Sequence, residues 1–173
     1  ITSDLLETST DANIDDLRAN TVLAVDIDLA SADTDVVTVT VDGASFDKAT
    51  SVTVTSAENV TFGAIDAADD ATLDFSGVTG TVTVTVDTTN DYTVKGSATA
   101  KTTFTMGSGL DADDSLVGGS ATTDTATATV TGLTATTGAV TSTGVEVFDL
   151  TNTTTAVVDF TGTTGVTEVS ING

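Results

Sequence analysis

The chain repeats itself, and this constrains its fold more than any other property of the sequence. Thr34 to Gly43 reads TDVVTVTVDG, and 89 residues later Thr123 to Gly132 reads TDTATATVTG. A second pair keeps the same order, with Leu73 to Gly80 reading LDFSGVTG and Val158 to Gly165, 85 residues later, reading VDFTGTTG. A duplicated unit of this length belongs to stacked architectures, in which each unit buries its apolar face on a neighbour. Such arrays are scaffolds more often than catalysts.

The local pattern says what is stacked. Between Asp33 and Gly173, short runs alternate Thr with an apolar residue, as in Val36 to Val41, Val52 to Thr55, Thr81 to Val86 and Thr125 to Val130. A period of two marks a strand with one buried face. The runs are separated by Asp42-Gly43, Thr88-Thr89-Asn90-Asp91 and Gly118-Gly119-Ser120, residue types that supply turns. With 42 Thr, 23 Val and no Pro, the composition is all-β. Two architectures fit: a parallel β-solenoid or β-roll, whose narrow interior suits small side chains, and a β-sandwich, whose core normally holds large aromatics. Six Phe, one Tyr and no Trp favour the solenoid.

Residues 1–32 read as an irregular or part-helical lead-in, because Leu5, Leu6, Ile14 and Leu17 can line a short helix, although Val22 to Leu29 alternates like a strand. Residues 33–121 then form a first repeat unit with a Gly/Asp loop at 107–125, and 122–173 a second, incomplete one. The expectation is a segment of a longer protein, or one whose ends dock on another copy.

A net charge of -22, from 26 acidic residues against four basic ones, repels nucleic-acid phosphates and anionic lipid. No apolar run approaches the ~20 residues that a membrane-spanning helix needs, so neither nucleic acid nor membrane insertion is expected. Self-repulsion of this size favours a cation as counter-partner. The absence of His and Cys removes Ser-His-Asp and Cys-His machinery and the usual zinc ligands, so the chain reads as a non-enzyme.

The segment Gly107 to Thr125, GSGLDADDSLVGGSATTDT, is the foremost candidate for a metal loop. Glycines at Gly107, Gly109, Gly118 and Gly119 allow backbone oxygens to turn inward, and Asp111, Asp113, Asp114 and Asp124 add the hard oxygen ligands that Ca2+ requires. Weaker ion candidates are Asp66, Asp69 and Asp70, and Asp87, Asn90 and Asp91. Asp26, Asp28, Asp33 and Asp35 alternate and would share one strand face.

The stretch Asp114-Ser115-Leu116-Val117-Gly118-Gly119 followed by Thr123-Asp124-Thr125 resembles a degenerate pair of the glycine and aspartate nonapeptides of RTX (repeats-in-toxin) proteins. It departs from them at Ser108, at the extra Ala112-Asp113, and in lacking glycine between Ser120 and Thr123. The wider Thr- and Ala-rich body, roughly Asp33 to Gly173, is similar to bacterial surface-layer (S-layer) proteins of the RTX type. That resemblance implies type I export, an extracellular, cell-surface location, and calcium-dependent self-assembly into a lattice, sheath or filament without catalysis. The partners expected are other copies of the chain and cell-surface polysaccharide. The alternative is a stalk or ligand-binding module of a large secreted adhesin.

Overall fold

The computed structural model describes residues 2–5, 11–14, 17–18, 23–31, 38–121, 123–130, 139–152 and 159–172. Leu6, Asp33, Thr34, Asp35, Gly132 and Val158, all invoked above, lie outside them. In chain order the strands are β1 (Thr2–Leu5), β2 (Asp11–Ile14), β3 (Leu17–Arg18), β4 (Ala24–Ser31), β5 (Thr38–Phe46) and β6 (Ser51–Ser56). They continue with β7 (Asn59–Ala67), β8 (Ala71–Val78), β9 (Val82–Val86), β10 (Tyr92–Lys95), β11 (Thr102–Gly107) and β12 (Ser115–Val117). The last are β13 (Thr125–Val130), β14 (Thr141–Thr143), β15 (Val147–Asn152), β16 (Thr163–Thr164) and β17 (Glu168–Asn172).

From β4 onward, successive strands fall alternately into two sheets. The first sheet runs β1-β4-β6-β8-β10-β12-β14-β16, and the second β17-β15-β13-β11-β9-β7-β5-β2, with β3 also against β5. The described ladders are parallel throughout. A chain that visits two facing sheets in turn and always re-enters in the same direction is a parallel β-solenoid. A β-sandwich would pair its strands antiparallel.

The Thr-apolar alternation sets which side faces inward. On β9 the pattern is Val82, Val84 and Val86 buried with Thr83 and Thr85 between them half-exposed. Stacking turns this into columns. Val41, Phe62, Val84, Phe104, Ala126 and Phe148 pair in register from coil to coil along the inner face of the second sheet. Val25, Val52, Leu73, Val94 and Leu116 do the same in the first. The two meet in the interior, where Phe62 and Phe75 pack edge to face with centroids 5.4 Å apart. Each fully buried Phe contributes a large-to-small penalty of about 3–5 kcal/mol if truncated to Ala.

Two expectations about organisation are corrected. Among the described residues there is no helix, and the lead-in read as irregular or part-helical supplies β1, β2 and β3, followed by β4 over the run that alternates like a strand. The stacking unit is also a single coil rather than a block of 85 or 89 residues. Thr40 reaches Thr61, Thr83, Thr103 and finally Thr125 through four successive ladders, whereas the repeated decapeptide would match Thr40 with Thr129. A slip of four is even, so it leaves every side chain on its own face, and an alternating strand can match itself at several such offsets. The other repeat is out of step too. Leu73 stacks on Val94, Leu116, Ser142 and Thr163. Phe75 lies in β8 while Phe160 precedes β16 and packs edge-on against Phe148 at 5.1 Å. The stack continues across residues 121 and 122, since β11 pairs with β13.

Candidate functional site

The Gly/Asp segment occupies the loops around β12, and each of its candidates has a definite place. Asp124 stands just before β13, in the inward column where Val39, Val60 and Val82 stand in earlier coils and Thr102 begins β11. Its side chain is 0% exposed. Asp124 Oδ1 accepts the N–H of Thr102, one coil back, at 2.7 Å, and Oδ2 accepts the N–H of Gly119 at 2.8 Å. One coil on, Glu146 Oε2 accepts the N–H of Asp124 at 2.9 Å. Thr102 Oγ1 in turn accepts the N–H of Ser97 at 2.9 Å. Thr102, Asp124 and Glu146 are 22 residues apart; Asp124 and Glu146 act as brackets between coils, while Thr102 closes the bend within its own coil.

Asp114 does the same for the first sheet. It is 2% exposed, and its Oδ1 accepts the N–H of Tyr92, 22 residues back, at 2.8 Å while Oδ2 accepts the N–H of Asp111 at 3.1 Å. Burial pushes its carboxyl up to about 6, with repulsion from Asp111 and Asp91 adding to the rise and the two N–H bonds opposing it. Asp111 Oδ1 accepts the N–H of Asp113 at 2.9 Å, closing the turn, and Asp113 is exposed.

The glycines serve the approach of coils. A Cβ on Gly118 would collide with the carbonyl oxygen of Gly144, and one on Gly119 with that of Ser97. Gly107 ends β11 at φ 57, where a side chain would be strained, and Gly109 donates its N–H to the carbonyl of Met106 at 3.0 Å. These backbones are therefore committed to turn and stacking geometry.

The weaker candidates regroup. Coil stacking separates the triads read within single loops and assembles two clusters across loops. Asp66 meets Asp87 and Asn90: Asn90 Nδ2 donates to Asp87 Oδ2 at 3.2 Å and to the Ala67 carbonyl at 3.0 Å, and Tyr92 Oη donates to Asp87 Oδ2 at 2.7 Å. Burial raises the Asp66 carboxyl and the nearby charges of Asp87 and Asp47 raise it further. Burial also works against ionisation of Asp87, but bonds from Thr89, Tyr92 and Asn90 outweigh it and hold that carboxyl below its ordinary value.

The second cluster is a corner column. Asp69, Asp91 and Asp113 are 22 residues apart, and Asp69 Oδ1 accepts the N–H of Asp91 at 3.0 Å. The Asp91 carboxyl is raised by partial burial, then by Asp111, Asp69, Asp113 and Asp70. Asp70 sits beside it in a left-handed conformation at φ 61. Asp28, on the outer face of β4, accepts a bond from Thr55 Oγ1 at 3.1 Å.

Among the described residues no three carboxylates gather in an arrangement able to hold a metal ion. The bracket role of Glu146 was not anticipated, nor was that of Ser97, whose Oγ donates to the Val78 carbonyl, 19 residues back, at 2.7 Å, nor that of Asn59, whose Oδ1 accepts the N–H of Thr81, 22 residues on, at 2.8 Å. The recurring interval of 22 was the available signal. No family model matches the chain, and no curated protein or solved structure matches it.

Proposed function

We propose that the chain is a structural module of an extracellular bacterial assembly, a surface layer, sheath or filament of RTX-like character, that self-associates when cations neutralise its acidic corner. The observation that carries this reading is the stacked column Asp69, Asp91 and Asp113 with Asp70 and Asp111 beside it, in which partial burial and then the neighbouring carboxylates raise Asp91. Parallel coils lie about 4.8 Å apart, well inside the Debye length of ~8 Å at physiological salt. Cations gathered loosely around this corner, calcium among them, would screen the repulsion without a closed coordination site, whereas Asp114 and Asp124 already spend their oxygens on backbone N–H groups. No catalytic step belongs to this role.

Electron microscopy of the purified chain with millimolar calcium and with excess chelator tests it. Ordered sheets or filaments in calcium that disperse on chelation are expected. A monodisperse chain in both conditions, with an unchanged melting temperature, refutes the proposal. The adhesin reading draws on a polar groove of about 230 Å³ lined by Thr129, Asp149, Thr151 and Asn172 among others. Saturable binding of a cell-surface polysaccharide by a monomer would favour it.

A further inference from the structure

The outer face of the second sheet carries a grid of threonines. Thr83 and Thr85 on β9, Thr103 and Thr105 on β11, and Thr125 and Thr127 on β13 form three Thr-x-Thr rows on consecutive coils. They stack in register, Thr83 on Thr103 on Thr125, and Thr85 on Thr105 on Thr127. Thr61 and Thr40 extend the first column through two more coils. Each is half-buried between fully buried neighbours, so its hydroxyl and methyl face outward.

Charge is kept off this grid. The chain has 26 acidic residues, yet none occupies the first column between Thr40 and Thr125, or the second between Thr85 and Thr127. The outer column of the opposite sheet, by contrast, runs Asp26, Thr53, Asp74 and Lys95. The grid stops where Val147 follows Thr125 and Asp149 follows Thr127, at the edge of the polar groove. The hydroxyls of Thr125 and Thr127 donate to the carbonyls of Thr123 and Phe104, each at 3.3 Å, and among the described residues those of Thr83, Thr85, Thr103 and Thr105 have no hydrogen-bond partner.

The sheet fixes the spacing of those hydroxyls at about 4.8 Å from coil to coil and about 6.6 Å between alternate residues of a strand. β-Branching leaves each Thr few χ1 states, so the oxygens are held in place before any ligand arrives. These two repeats lie close to the oxygen repeats on a prism face of hexagonal ice. Carboxylates would order water about themselves in a different pattern, and none stands at the six grid positions of β9, β11 and β13, although Asp42, Asp66 and Asp149 occupy the same sheet face outside them.

We propose that the threonine face of the second sheet binds ice: the hydroxyl grid and its methyls hold water in ice-like positions and fix the molecule to a crystal face. The proposal does not depend on self-assembly, since one monomer carries the whole grid. The test is partition of the purified full chain into a slowly growing ice front, together with inhibition of ice recrystallisation, for the parent, T103K in the grid and T93K on the opposite sheet. The parent and T93K are expected to enter the ice and T103K to remain in the liquid, all with the same β-type circular dichroism. If T103K fails to fold, Thr105→Tyr supplies the same obstruction with a residue that strands favour. A parent chain excluded from ice like an ordinary solute overturns the proposal, as does equal loss in the grid variant and T93K.

Discussion

Replacing Asp124 separates a stacking bracket from a metal ligand. In the parent, both carboxylate oxygens accept backbone N–H bonds, from Thr102 at 2.7 Å and Gly119 at 2.8 Å, and the residue is 0% exposed. Asp124→Ala leaves two donors without partners, that of Thr102 fully buried and that of Gly119 half-buried. A stranded buried donor costs about 1–3 kcal/mol and one within reach of water less, so the expected loss is about 1–4 kcal/mol. Asp124→Asn should fall between, since one oxygen still serves Thr102 while the amide NH2 opposes the Gly119 donor. The assay is denaturant unfolding in excess chelator and again in millimolar calcium, with hydrogen exchange at the Thr102 and Gly119 amides as the local readout. Exchange at both sites should accelerate to a similar extent in either condition. A loss below about 0.5 kcal/mol, within the range of an ordinary surface substitution, or one that disappears on chelation, would refute the bracket assignment.

Further expectations follow from the same geometry. Asp114 has its carboxyl displaced upward from 3.8 to about 6, so its contribution to stability is fully present below pH 3.8 and is lost as pH rises through 6, by on the order of 3 kcal/mol. Asp66 and Asp91 act in the same direction, whereas Asp74 and Asp87 are lowered and withdraw stability as pH falls below their ordinary range. Thermal midpoints should therefore rise on going from pH 7 towards pH 4 and fall again at lower pH, and Asp114→Asn should flatten the upper limb. Among the described residues Ser142 Oγ is buried without a hydrogen-bond partner, so Ser142→Ala should raise stability, read from the denaturant midpoint, by roughly 1 kcal/mol. Asp70→Asn should also stabilise, by up to about 1 kcal/mol, because Asn tolerates the left-handed conformation and one charge leaves the corner; melting at low and high salt should show the gain shrinking with screening.

The strands were legible because their inward and outward residues differ in kind. Val82-Thr83-Val84-Thr85-Val86 has one reading as a half-buried strand, and the structure gives it that reading. The coil length was not legible from the same residues, since an even slip of a Thr-Val run changes no face. It was written instead in polar positions that look like turn residues one at a time: Asp69, Asp91 and Asp113, and Thr102, Asp124 and Glu146, each series at intervals of 22. The inward turn of Asp124 in the loop at 107–125 was not legible for a related reason. An aspartate among glycines looks solvent-facing, and only the stacking of Thr102 beneath Asp124 shows that its carboxylate turns inward.

A chain with net charge -22 can fold in this way because the solenoid gives its acids three different fates. Asp114 and Asp124 go inside and replace the hydrogen bonds that bends in the coil deny to the backbone. Asp69, Asp91 and Asp113 go to an exposed corner, where water and ions reach them. Asp26 and Asp74 go to the outer column of the first sheet, while the threonine columns keep the outer positions of β9 and β11 neutral. In a stack whose stability is a sum of coil and nearest-neighbour terms, this division localises the effect of each charge. Asp124 controls the junction of β11 with β13, while Asp91 acts on the corner and, through its charge, on the Asp114 bracket. Relief of the corner repulsion by cations would therefore leave the Asp124 bracket in place, and that bracket can be broken by mutation with calcium held constant.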